Sequence, residues 1–101
     1  MTTVVNLRQE PYDVYIGRSG HGVKGPYGNW YSHMPGTLAD YRCQTRAEAI
    51  HLHMLDLRTM PRQELIEFLK PLVGKRLGCF CKPKACHGDN YVMLIHELGL
   101  E

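Results

Sequence analysis

Chemistry concentrates in one short stretch, Cys79-Phe80-Cys81-Lys82-Pro83-Lys84-Ala85-Cys86-His87-Gly88-Asp89. Three thiols and an imidazole fall within nine residues, Cys79 to His87. Thiolates and imidazole nitrogens are the usual ligands of zinc, which makes Cys79, Cys81, Cys86 and His87 a candidate metal set. The spacing matches neither a zinc ribbon nor a finger, and the adjacent Cys86 and His87 must both bend toward one ion; His33 or Cys43 can replace either of them. The same types also suit a nucleophilic thiol and its base, with Cys81 or Cys86 attacking and His87 taking the proton. A third reading needs no site: Cys79 packs as a small apolar side chain, Cys86 is incidental, and His87 or Asp89 caps a helix.

These residues depend on the elements around them. Thr3 to Leu7 is short and β-branched, a strand, and Asp13 to Gly17 is a second. The brief connection between the two favours an antiparallel pair, because a parallel crossover usually needs a dozen or more residues. Five glycines between Gly17 and Gly28 break regular structure, so Arg18 to about Asp40 reads as a long loop, a length that is often functional. Thr45-Arg46-Ala47-Glu48 matches a capping box, and Ala47, Ile50, Met54 and Leu57 follow as an apolar stripe. His51 and His53 lie two apart, point to different faces, and default to surface or half-buried positions. Pro61 opens a second helix whose buried face is Leu65, Phe68, Leu69 and Leu72, closed by Pro71 and Gly74. Arg76 to Cys81 is a third strand, short and central. Asp89 to Leu98 is the last helix, with Gly99 as its C-cap.

The order is therefore β-β-α-α-β-α, an α/β domain with a small mixed three-stranded sheet flanked by three helices. Two helices between strands two and three imply a parallel crossover. Both strands then end on one edge, where such sheets bind ligands. That edge gathers Arg18, the glycine-rich loop, Cys79 to Lys82, and the helix start at Gly88-Asp89. Arg18 suits a phosphate or carboxylate fork, or is one more surface arginine. Asn29 offers an amide, and Trp30 a stacking ring or a core side chain. A helix start favours anions and lowers a nearby thiol's pKa, and Lys82 and Lys84 act in the same direction.

Composition narrows the classes. The 101 residues fit one domain, with 44% apolar and 22% charged residues, so wholesale disorder is not expected. Net charge is only +2, yet Lys70, Lys75, Arg76, Lys82 and Lys84 face Asp89 alone between positions 70 and 89. There is no apolar run of membrane-spanning length and no secretory leader, so no membrane is expected as a partner and a reducing, cytoplasmic setting suits the clustered thiols.

The chain resembles a family of small bacterial and phage domains of unknown function. The residues that carry the likeness are Val4-Val5-Asn6, Tyr15-Ile16-Gly17-Arg18, Gly28-Asn29, and Gly74-Lys75 through the C-x-C-x4-C-H-G-D finish at Asp89. Trp30 departs from the proline that more often follows Gly-Asn there. The resemblance implies this site and assigns it no substrate. The leading expectation is binding, with processing by the thiols as an extension, of a small anionic ligand such as a nucleotide or nucleotide-derived base. Arg18, Asn29, Lys82, Gly88 and Asp89 would contact it, beside a cluster that holds zinc or supplies a thiolate. The alternative is a zinc-stabilised interaction module for a host protein or nucleic acid. Nucleic acid ranks below a small ligand, since no recognition helix or aromatic RNA motif is present.

Overall fold

The strand that ends in Cys79 lies between the other two strands of its sheet. The computed structural model describes residues 1–17, 27–29, 31–32, 41–42 and 44–101. Its elements are β1 (Thr3–Asn6), β2 (Val14–Tyr15), β3 (Tyr31–Ser32), β4 (Tyr41–Arg42), α1 (Arg46–Thr59), α2 (Arg62–Leu69), a 3-10 turn (Lys70–Leu72), β5 (Arg76–Cys79) and α3 (Gly88–Glu97). The α/β class, the three helices and the order of the main elements agree with the sequence reading. So does the parallel crossover from β2 to β5, which pairs Val14 with Leu77 and Tyr15 with Gly78.

One expectation is overturned. β1 and β2 do not form an antiparallel pair, and the sheet is not mixed. Both strands run parallel to β5, in the order β1-β5-β2. The short connection suffices because β2 is only two residues long and begins opposite Leu77. The chain turns at Asn6, whose carbonyl accepts from Gln9 and Glu10, and rejoins the sheet where Asp13 N–H donates to the Arg76 carbonyl. Arg76 returns the contact: its guanidinium and backbone N–H donate to the Asp13 carboxylate, which holds that carboxyl down at about 2. A second correction concerns the stretch read as one long loop and the residues just after it. β3 and β4 form a separate parallel pair there, too short to leave a periodic signal.

All three helices contribute to the core on one side of the sheet. Leu77 and Cys79 point into it from β5, and Ile16 from the end of β2. They meet Leu57 of α1, Leu65 and Leu69 of α2, and Tyr91, Leu94 and Ile95 of α3. Thr45 caps α1 as expected, accepting from Glu48 N–H at 3.1 Å. The buried stripe of α1 differs from the apolar one: it is Ala49, His53 and Leu57, with Ala47 exposed and Ile50 and Met54 at its flanks. His53 is thus a core histidine, while His51 is exposed. Gly74 and Gly99 have φ of +76° and +69°, the left-handed conformation that ends a helical segment most readily at glycine. Among the described residues, no helix is long and apolar enough to cross a membrane.

Candidate functional site

The site is assembled from a strand end, the loop after it, and a helix start. Cys79 closes β5 and points to the core side of the sheet. Cys81 lies two residues on, past the strand end. Cys86 precedes α3. Their sulfurs lie within 4.8 Å of one another, so the three thiols can hold a metal ion. Cys79 and Cys86 are buried, and Cys81 is partly exposed. The Cys86 and Cys79 sulfurs are 3.0 Å apart.

Local bonds fix this loop. Asn6, at the end of β1, donates its amide to the Lys82 carbonyl at 2.7 Å and accepts from Arg8 N–H at 2.9 Å. Lys84 N–H donates to the Cys81 carbonyl, closing the turn. Asp89 reaches back from the first turn of α3 to accept from Cys86 N–H at 3.2 Å, and holds Lys82 Nζ at 2.9 Å. His87 occupies the N-cap position but makes no side-chain capping bond.

Charge within the cluster is uneven. Hydrogen bonds from the Cys79 and Cys86 thiols, with the nearby Arg46 guanidinium, hold the Cys81 thiol well below its ordinary value. The same sharing pushes Cys79 and Cys86 up. Cys81 is therefore the thiolate of the three, and the one that solvent reaches.

His87 is oriented by its backbone partners. Its Nε2 lies 2.7 Å from the Ile16 carbonyl and 2.9 Å from the Tyr27 carbonyl. Both are acceptors, so Nε2 carries a proton; in the neutral ring Nδ1 then presents its lone pair. Nδ1 is 3.6 Å from Cys86 Sγ. The histidine thus lies against one thiol, as either a base or a ligand requires. The ligand atoms that come mutually close among the described residues are the three sulfurs.

Behind His87 a polar chain continues through the core. The Tyr27 carbonyl also accepts from Tyr91 Oη at 2.8 Å. Tyr91 Oη in turn accepts from His53 Nε2 at 3.1 Å, and His53 Nδ1 accepts from Asn90 at 3.0 Å. Burial, with the neighbouring His87 ring, drives the His53 pKa down to about 3, so it is a neutral core group.

The other expected residues divide. Lys82, Gly88 and Asp89 are at the site. Gly88 packs tightly, since a Cβ there would lie 2.6 Å from Ile16 Cδ1. Asn29 is buried and donates its amide to the Ala49 carbonyl of α1 at 3.1 Å. Arg18, His33, Cys43, Trp30 and most of the glycine-rich loop lie outside the described residues. Sequence reasoning missed Asn6, Arg46, His53 and Tyr91. Asn6 had a signal in the Val4-Val5-Asn6 strand; the others look like ordinary helix residues.

Comparison with known proteins gives one family and one relative. The family model described as "Domain of unknown function (DUF4326)" matches residues 3–97. An Enterobacteria phage T4 protein described as "Uncharacterized 12.4 kDa protein in nrdA-td intergenic region" is 35% identical over 97 residues, covering 94% of this chain and 78% of that protein. No solved structure matches.

Proposed function

From the premise that this chain belongs to the DUF4326 family, we propose that it binds a small anionic ligand of the nucleotide class at the carboxyl edge of its parallel sheet, beside a zinc ion held by Cys79, Cys81 and Cys86. One observation carries the reading: three sulfurs from a strand end, a turn and a helix start converge within 4.8 Å at that edge. Open α/β sheets take their ligands there.

The donor set fits the ion. Sulfurs around a tetrahedral zinc stand about 3.8 Å apart, given a Zn–S bond of about 2.3 Å. The three here lie within 4.8 Å of one another, with Cys79 and Cys86 at 3.0 Å, close enough to take up that spacing, and Cys81 is already biased to the thiolate. Three protein ligands leave a fourth position, as in sites where zinc acts on a bound molecule. The start of α3 supplies positive potential for an anion, and the Lys82 ammonium, paired with Asp89 at 2.9 Å, would turn from it to the bound anion.

Two measurements on the purified full chain test the reading. Elemental analysis should return about one zinc per chain, and Cys81→Ser should lower that content several-fold. Calorimetric titration with nucleoside 5′-monophosphates should show binding that Lys82→Ala weakens about threefold to tenfold, the loss of one charge-assisted contact. Zinc-free protein with all four thiols freely titratable, and no heat from any nucleotide, would sink the proposal.

A second reading is favoured by the burial of Cys79 and Cys86, which are core residues. Zinc would then only hold the fold, and the surface would meet a host protein or nucleic acid. A chelator that unfolds the protein outright supports that view. One that leaves the fold intact and abolishes nucleotide binding supports the first.

A further inference from the structure

The other face of the sheet holds an arrangement that neither the cluster nor the core explains. Side chains alternate along β5, so while Leu77 and Cys79 enter the core, Gly78 faces the opposite way; Phe80 follows the strand end, half-exposed against Tyr15 and Arg8. Tyr12 packs against Gly78: a Cβ there would stand 2.7 Å from Tyr12 Cγ. Tyr15 lies over Gly17 in the same manner, its hydroxyl where a Cβ would be. The two glycines thus make room for two aromatic rings. Phe80 completes the group, edge-on to Tyr15 with centroids 6.4 Å apart and planes at 79°. The Arg8 guanidinium stands over the Phe80 ring, 4.9 Å from its centroid.

A single exposed phenylalanine is ordinary. This one is 47% exposed although Tyr15 and Arg8 both contact it, and Tyr12, packed on Gly78, is 41% exposed. Arg8 is itself anchored, through its backbone N–H to Asn6 Oδ1, the residue whose amide holds the cysteine turn at Lys82. Phe80 sits in the chain between two of the clustered cysteines. The aromatic group and the cluster therefore share one edge and one anchoring residue.

We propose that Phe80 and Arg8 form the base-binding half of the ligand site, and that the ligand is a free mononucleotide. This inference rests on the anionic-ligand reading above. An aromatic face stacks any nucleobase; since Arg8 stands over one face of Phe80, the base takes the opposite face and the guanidinium can hold the phosphate. The size of the face selects a mononucleotide over a polymer. The strands have four, four and two residues, so the face runs about 13 Å at its longest. Tyr12 already occupies the Gly78 position, and Phe80 is the more exposed of the two rings.

The test is equilibrium binding to the full chain of AMP, GMP, CMP and UMP, with ribose 5-phosphate and a 12-nucleotide single strand as comparisons. Phe80→Leu keeps an apolar side chain and removes the stacking ring; Phe80→Trp keeps a ring. An unchanged thermal midpoint for both variants secures the fold. At least one mononucleotide should bind about tenfold more tightly than ribose 5-phosphate; Phe80→Leu should remove that advantage and Phe80→Trp should keep it. If ribose 5-phosphate binds equally well, or Phe80→Leu binds unchanged, the base platform is overturned and the anionic-ligand reading stands. If nothing binds, both fall. If the single strand binds and no mononucleotide does, the assignment to a free nucleotide is overturned.

Discussion

Gly88 is the residue on which the site's geometry turns most directly. It starts α3, and its missing side chain lets the helix approach Ile16 and Val4. Alanine there would place a Cβ 2.6 Å from Ile16 Cδ1 and 3.0 Å from Val4 Cγ2, and push Cys86 away from Cys79. Overpacking of this kind costs about 1–3 kcal/mol, so Gly88→Ala should lower the urea midpoint, and zinc content should fall with it. Asp89 permits a milder test. Its carboxylate holds both Cys86 N–H and Lys82, so Asp89→Asn should keep the first contact and weaken the second. The expected outcome is a small loss of stability, under about 1 kcal/mol because the ion pair is partly exposed, with unchanged zinc content. At this scale the sequence was informative. The cysteine pattern and the strand alternation identified Cys79, Cys81 and Cys86 as neighbours, and the helix start explained Asp89. Asn29 was less legible, because an amide that bonds a distant helix carbonyl looks the same in sequence as one that faces a ligand.

The elements bear on one another through the seam between α1 and α3, where His53 is buried between Asn90 and Tyr91. Its pKa lies at about 3 in the fold and near 6.5 when the chain is unfolded. The unfolded chain therefore takes up the proton first. Stability is fully present above about pH 6.5 and falls as pH drops toward 3, by up to about 1.4 kcal/mol per pH unit. Urea midpoints at pH 7 and pH 5 should differ markedly in the native chain, and the difference should shrink in His53→Gln. A pH-independent midpoint between those values would show that His53 does not control the seam. The helices themselves were legible from the Thr45 cap, the Pro61 start and the Gly99 stop. The face of α1 was not, because its buried stripe has a histidine at its centre, and apolar periodicity does not register a histidine satisfied by an amide and a phenol. β1, β2 and β5 were legible as short strands. β3 and β4, two residues each, leave no alternation to read, and the parallel pairing of β1 was hidden because loop length alone favoured a hairpin.

The whole molecule brings together segments that are far apart in sequence. The Ile16 and Tyr27 carbonyls both accept from His87, and Tyr91 joins them to α1. An ion bound at the cysteines, as proposed, would stabilise all of this by mass action. Chelation should therefore lower the thermal midpoint of the entire chain as one transition, and added zinc should restore it. Hydrogen exchange should show protection of Ile16 rising and falling with zinc, since its N–H donates to the Gly78 carbonyl of β5. Unchanged exchange there would place the metal site outside the cooperative unit. The strand order has a further, temporal consequence. β5 separates β1 from β2 yet is made some sixty residues after them. During synthesis the two outer strands have no partner until the ribosome releases the segment around Cys79. The sheet cannot zip up vectorially from the amino end. Its formation waits for long-range contacts that slow folding, and the last strand to emerge ends in Cys79, the first cysteine of the site.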